Sequence, residues 1–213
     1  MNLNKKAKDV FRMLLQRYGS EDAKRHLWNK EFSSSKWNCL DSAGEDGIQF
    51  YVEKYADRGA ILDLGCGSGT TGIELDPASY SFYTGVDVSD VALNKAVVRS
   101  REAGVAERVE YRLADILTFE PERRYNVILF GDSIYYIGFG RILPVLQRYE
   151  QYLSTNGVFA VRLFDVSGKL YQILECIESH FLVLEKHVNE QTHVCNIVFR
   201  PNDEMRAASQ PHN

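Results

Sequence analysis

Four aspartates and a run of glycines are the residues of this chain best suited to chemistry. Asp63 lies in Ile61-Leu62-Asp63-Leu64-Gly65-Cys66-Gly67-Ser68-Gly69-Thr70, an apolar stretch with an acid inside it and three alternate glycines after it. Ile61, Leu62 and Leu64 suit a parallel strand buried on both faces. The glycines at 65, 67 and 69 permit positive φ and close backbone approach where a strand turns into a helix. A nucleotide cofactor can lie against bare backbone in such a loop. The spacing G-x-G-x-G departs from the G-x-G-x-x-G that seats a pyrophosphate on a helix N-terminus. Asp87 ends a second apolar run, Ser81-Phe82-Tyr83-Thr84-Gly85-Val86-Asp87. It stands roughly where a strand-end acid would take the two hydroxyls of a ribose, about 20 residues after the first motif. That logic serves an NAD ribose equally well, and Asp87 is otherwise a cap for the helix expected from Val91 to Arg101, for which Ser89 and Asp90 also offer oxygens. Asp115 follows a third strand, Val109-Glu110-Tyr111-Arg112-Leu113, and taken alone is either a cap or a ligand. Three acids at successive strand ends are harder to explain as caps, because an open α/β sheet binds ligands beyond the carboxyl ends of its strands.

The first motif resembles that of the class I S-adenosylmethionine-dependent methyltransferases, an acid followed by alternate glycines after the first strand. The resemblance extends over roughly Ile61 to Phe199. It implies S-adenosyl-L-methionine as cofactor, with Asp63, Gly65, Gly67 and Gly69 around its methionine part and Asp87 and Val88 at the ribose. Asp115 would accept from the adenine amine while Ile116 packs on the ring, and Phe130 and Gly131 would complete the cofactor site. It also implies that chemistry lies beyond the fourth strand, in Phe130-Gly131-Asp132-Ser133-Ile134-Tyr135-Tyr136-Ile137-Gly138. That stretch lacks the N/D-P-P-Y/F signature of methyltransferases acting on nucleobase amines or glutamine amides. Methyl transfer from a sulfonium is an in-line displacement, for which holding the reacting atoms in line supplies much of the catalysis. If the acceptor is a hydroxyl, Asp132 is the candidate base; it is otherwise a turn cap or a partner for a cationic acceptor. Tyr135 and Tyr136 are candidates to line the acceptor site, as is Arg162, either through a substrate carboxylate or merely as half of a surface ion pair.

These residues need a scaffold that brings strand ends together. Strand patterns at Phe82–Asp87, Val109–Leu113, Asn126–Phe130 and Gly157–Leu163 alternate with helical ones near Thr71–Leu75, Val91–Arg101, Ile142–Leu153 and Lys169–Ser179. This predicts an α/β fold, a doubly wound, mostly parallel Rossmann-like sheet. Strands at Phe181–Val188 and Thr192–Phe199, with a turn at Asn189-Glu190, predict a C-terminal antiparallel hairpin, which the methyltransferases add and ordinary dehydrogenase domains lack. A helical N-terminal extension is expected from Asn4–Tyr18, Glu21–Lys30 and Ser42–Tyr55. In the first, Ala7, Val10, Phe11, Leu14 and Leu15 recur at helical spacing; in the last, Ile48, Tyr51, Val52 and Tyr55 face inward. The division expected is a helical extension or lid over 1–58, a cofactor-binding core over 59–200 and a disordered tail over 201–213. Tyr18, Trp28, Phe32 and Trp37 either cover the site or pack on the sheet. Trp37, in a loop-like stretch, is the strongest candidate for a lid contact with substrate.

Composition sets the limits. The chain has 213 residues, 45% hydrophobic and 25% charged, values for one globular domain with a full core. A formal net charge of -4 gives no overall basic field for nucleic acid. The four cysteines and five histidines are scattered, with no metal-ligand spacing. The start, Met-Asn-Leu-Asn-Lys-Lys, has no apolar core of a signal peptide, and no apolar run is long enough to span a membrane. The expectation is therefore a cytoplasmic, metal-independent methyltransferase acting on a small molecule through oxygen or nitrogen. It would work as a monomer or homodimer, without nucleic-acid or membrane partners. The alternatives are a non-catalytic adenosyl-cofactor-binding protein and, disfavoured by glycine spacing and hairpin, an NAD-dependent oxidoreductase.

Overall fold

Seven strands among the described residues pair into one sheet, whose central members are apolar on both faces. The computed structural model describes residues 3–34, 47–164, 168 and 170–202. Its strands are β1 (Ala60–Leu64), β2 (Phe82–Asp87), β3 (Val109–Leu113), β4 (Tyr125–Gly131), β5 (Leu153–Phe164), β6 (Phe181–Asn189) and β7 (Val194–Pro201). They lie in the order β3-β2-β1-β4-β5-β7-β6. The first five are parallel, and β7 runs antiparallel between β5 and β6. The chain moves outward from β1 to β3 and then returns to the other side of β1 as β4. The crevice at this reversal opens beyond the ends of β1 and β4.

The helices are α1 (Leu3–Tyr18), α2 (Glu21–Ser33), α3 (Ile48–Ala56), α4 (Thr70–Glu74), α5 (Asp90–Glu102), α6 (Phe139–Glu150) and α7 (Leu170–His180). Period-two alternation splits the core between the two sheet faces. Leu62, Leu64, Ile128 and Phe130 pack with Leu146 of α6 and Ile177 of α7, while Ile61, Val127 and Leu129 pack with Val52 of α3.

Four boundaries depart from the sequence reading. The helix expected from Ser42 begins at Ile48, after Gly47 in the left-handed region at φ 61; residues 42–46 lie outside the described residues. Ile48, Val52 and Ala56 of α3 are buried in the sheet's second core, so the extension expected to end at residue 58 includes a helix that packs as part of the core. The helix expected from Ile142 to Leu153 spans Phe139–Glu150, and Leu153 already pairs with Tyr125. The register then shifts before Val127 meets Val158. Gly157 sits at this irregularity, where a Cβ would lie 2.8 Å from the Tyr125 carbonyl oxygen. Pro201 ends β7 rather than beginning the tail, and 203–213 lie outside the described residues.

Helix α1 is also turned the opposite way from its apolar pattern. Val10, Phe11 and Leu14 are exposed, whereas Gln16 is buried. The helix packs on α2 and on the short turn Ile134–Tyr136, next to the polar crevice, so its polar side meets the protein.

The C-terminal hairpin is held by three phenylalanines. Phe199 stacks on Phe159 with ring centroids 5.2 Å apart and meets Phe181 edge-on at 5.0 Å. Phe199→Ala should cost about 3–5 kcal/mol, the usual range for an aromatic truncated in a packed core. The urea midpoint would fall accordingly, and a change below about 1 kcal/mol would mean that the hairpin is not cooperative with the sheet.

Candidate active site

The glycine loop is fixed by backbone bonds that only positive φ allows. Gly65, Gly67 and Gly69 have φ of 87, 53 and 76. The Gly65 and Cys66 amides donate to the Val86 carbonyl at 2.7 and 3.0 Å, tying the loop to the end of β2. A Cβ on Gly65 would lie 2.5 Å from Ser133 Cβ, so the loop and the residues after β4 touch where only hydrogen fits. Ser133 Oγ donates to the Leu64 carbonyl at 2.5 Å, closing the same junction.

The four acids converge on this junction in different states. Asp87 accepts from the Gly67 amide at 2.9 Å through Oδ2 and from the Ser89 amide at 2.8 Å through Oδ1. Ser89, not Asp87, caps α5, accepting from the Ala92 amide at 3.1 Å. Burial raises the Asp87 carboxyl to about 6 despite bonds from the backbone amides of Ser89, Gly67 and Val88. Asp63 is 2% exposed, and its Oδ2 accepts from the Tyr83 hydroxyl at 2.6 Å. Its Oδ1 is buried with no hydrogen-bond partner among the described residues. Burial raises Asp63 to about 7, with the Tyr83 bond opposing and the Asp87 charge adding.

Asp115, also buried, accepts from the Leu117 amide at 3.0 Å and from Lys24 Nζ at 2.5 Å. Ile116, the next residue, reaches within 3.5 Å of the place a Gly65 Cβ would take, which puts its side chain at the loop. Its carbonyl is held by Tyr149 Oη at 2.8 Å.

At the end of β4 the strand alternation separates two residues expected to act together. The Phe130 side chain is fully buried against Tyr149, a core contact, and does not line the crevice. Gly131, one step on, borders open space: nothing lies within 4 Å of a Cβ built there. Asp132 has φ 55, and its carboxylate pairs with the Arg162 guanidinium. Both side chains are largely buried, so this is not the surface pair considered for Arg162. Burial raises the Asp132 carboxyl in spite of Arg162. Tyr135 and Tyr136 follow, ring centroids 4.7 Å apart.

Helix α2 lies across this set. Trp28 stands edge-on to Tyr136 at 4.9 Å, and the tip of Phe32 is 3.3 Å from the position of a Gly67 Cβ. Asn29 accepts from Ser89 Oγ and donates to Asp90, each at 2.7 Å. Trp28 and Phe32 thus cover the crevice. Tyr18 instead is exposed, with Arg141 over its ring, and Trp37 lies outside the described residues. Lys24 and Asn29 escaped the sequence reading. The available signal for Lys24 was its place with Trp28 and Phe32 at intervals of four, which puts a lysine and two aromatics on one face.

Comparison with known proteins fits this arrangement. A family model described as a methyltransferase domain matches residues 56–204, from the end of α3 through β7. The chain belongs to this family. Its fold is that of the class I S-adenosylmethionine-dependent methyltransferases. The methyltransferase is similar to the N-methyltransferase NodS from Bradyrhizobium japonicum, solved in complex with S-adenosyl-L-homocysteine. Their TM-score is 0.67 at 15% identity, covering 83% of this chain and 97% of that one. Among curated proteins it is 24% identical over 120 residues to 27-O-demethylrifamycin SV methyltransferase of Amycolatopsis mediterranei, covering 52% of this chain and 43% of the relative. It is 32% identical over 111 residues to the tRNA1(Val) (adenine(37)-N6)-methyltransferase of an Enterobacter species, covering 50% of this chain and 45% of the relative. The chain thus spans less than half the length of either. Among the described residues no helix is long and apolar enough to cross a membrane.

Two outcomes follow from the buried charges. Lys24→Met leaves Asp115 buried without its cation and should destabilise the methyltransferase by about 3–5 kcal/mol, while adding Asp115→Leu should restore most of the loss; urea unfolding of both variants checks this. The Asp63 and Asp87 carboxyls, raised to about 7 and about 6, lie above the ordinary unfolded value, so the folded state holds more protons. Stability should therefore fall as pH rises from about 4 toward 7. Asp63→Asn should flatten part of that slope, as read from urea midpoints at successive pH values, and an unchanged slope would remove Asp63 as its source.

Proposed function

We propose that this methyltransferase moves a methyl group from S-adenosyl-L-methionine to a small-molecule acceptor through oxygen or nitrogen, without a metal. The observation that carries the cofactor reading is the unpartnered, buried Oδ1 of Asp63 beneath a loop whose glycines bare the backbone. A buried acceptor without a donor is costly, and a ligand ammonium would satisfy it. The open space at Gly131 leaves room for that ligand on the β4 side. In this reading Gly65, Gly67 and Gly69 bound the methionine part of the cofactor, and Asp87 takes the ribose hydroxyls. A carboxylate offers about four acceptor positions, so the amides of Gly67, Ser89 and Val88 still leave capacity for a ribose hydroxyl.

Asp115 and Ile116 would lie at the adenine, with Lys24 already engaged on Asp115. Val88 contributes main chain, and Gly131 gives clearance. The bound cofactor supplies an electrophilic methyl on a sulfonium. The protein's own part is to hold an acceptor in line from the side of Asp132, Tyr135, Tyr136 and Arg162, and to exclude water beneath Trp28 and Phe32. Helix α2 of the N-terminal segment acts as that cover.

A small acceptor is supported by the enclosure of this side under α2. It is also supported by the Gly131-Asp132-Ser133-Ile134 sequence, which lacks the signature of enzymes acting on nucleobase amines or glutamine amides. The thiols of Cys66, Cys176 and Cys195 are free, which suits a reducing compartment such as the cytoplasm.

Titration calorimetry with S-adenosylmethionine, S-adenosylhomocysteine and NAD tests the cofactor assignment. Micromolar binding of the two adenosyl compounds is expected, and binding of NAD alone would overturn it. Ligand donors favour the ionised acids, so affinity for S-adenosylhomocysteine should rise from pH 5.5 to 7.5 as Asp87 and Asp63, at about 6 and about 7, lose their protons. Asp87→Ala should weaken binding by roughly 1.5–3 kcal/mol for each hydroxyl bond lost.

A further inference from the structure

The acceptor side of the crevice contains a second, largely buried acid with an unused oxygen, and its surroundings differ from those of Asp63. The Asp132 carboxylate is engaged by Arg162 through Oδ2, while Oδ1 is buried with no hydrogen-bond partner among the described residues. The residue cannot swing away easily. Its carboxylate is paired with Arg162, its φ of 55 is a left-handed one that aspartate tolerates, and its amide is fixed to the Arg162 carbonyl at 3.1 Å. Tyr135 and Tyr136 stand beside it, and the Tyr135 phenol bonds to that of Tyr136. Trp28 closes the outer side, edge-on to Tyr136. The Arg12 and Glu31 charges, 3.2 Å apart, bear on the same phenol from α1 and α2.

An oriented carboxylate oxygen among aromatic rings is the chemistry that recognises an N–H bearing a full or developing positive charge. The oxygen accepts the N–H, and ring faces attract the charge. A hydroxyl would also donate to Oδ1, but it must lose its proton as it attacks, and a carboxylate, even one raised by burial, is a far weaker base than an alkoxide. A neutral amine needs no base until the new bond has formed.

We infer that the acceptor is a small amine, bound by an N–H to Asp132 Oδ1 within the enclosure of Trp28, Tyr135 and Tyr136. This rests on the reading of the domain as a methyl-transferring one. The amine lone pair forms the new N–C bond as the S–C bond breaks and its electron pair stays on sulfur. The displaced proton passes from nitrogen to Asp132 and then to water. Arg162 is a positioning residue, holding Oδ2 so that Oδ1 keeps its aim.

The test uses the full chain saturated with S-adenosylhomocysteine. A panel of small aromatic and alicyclic amines, each paired with the alcohol of the same shape (benzylamine with benzyl alcohol, cyclohexylamine with cyclohexanol), is titrated by calorimetry. The same panel is offered with S-adenosylmethionine, and methyl transfer is read as S-adenosylhomocysteine release. Amines should bind at least ten-fold more tightly than their alcohols, and methyl transfer should go to nitrogen. Asp132→Asn, which suits a left-handed position, should remove the preference while leaving S-adenosylhomocysteine affinity within about two-fold. Arg162→Met should weaken amine binding less than Asp132→Asn does. Alcohols bound or methylated as well as amines, no amine bound at all, or a preference that survives Asp132→Asn would each overturn the assignment. Failure of the wild-type chain to bind S-adenosylhomocysteine would instead overturn the cofactor reading on which it depends.

Discussion

Carboxylates buried at the carboxyl edge of a parallel sheet are the constraint that organises this molecule. Asp63, Asp87, Asp115 and Asp132 each leave bulk water, and each finds a different compensation. Asp87 receives backbone amides, Asp115 a lysine, Asp132 an arginine, and Asp63 a single phenol. Desolvation dominates the protonation of Asp63 and Asp87, which lack a cation partner. The fold has concentrated unfavourable solvation in one crevice, the arrangement expected where ligand groups are to replace water.

The surrounding elements serve to hold that edge still. The glycine loop is bonded to β2 through Val86 and Asp87, and to the segment after β4 through the contact of Gly65 with Ser133. Three strand ends thereby share one set of positions, and displacement of any of them would disturb the acids on the others. Behind them, two apolar layers lock the strands through side chains that alternate between sheet faces. The antiparallel β7 lies between β5 and β6, and its buried Asn196 stands in register with Arg162.

Helix α2 belongs to the site by its contacts, although it lies outside the sheet. Lys24 meets Asp115, Asn29 meets the cap of α5, Trp28 meets Tyr136 and Phe32 meets Gly67. Four contacts spread along one helix fix its position over both the cofactor half and the acceptor half of the crevice. Its chemistry is mixed for that reason: a face lying over acids and aromatic rings cannot be uniformly apolar.

The sequence by itself determined the parallel sheet, the closing hairpin and the three strand-end acids. Those features are local, since a strand buried on both faces must be apolar throughout, and a loop with three alternate glycines is readable wherever it lands. It could not show that Asp132 and Arg162 pair across neighbouring strands, that Phe130 turns into the core while Gly131 stays open, or that α1 presents its polar side inward. Partners 30 residues apart meet only through the register of β4 against β5. Tertiary structure alone decided the role of Lys24 as well. Nothing near it in sequence carries the buried charge it neutralises, which comes from Asp115, 91 residues away, once both have left water.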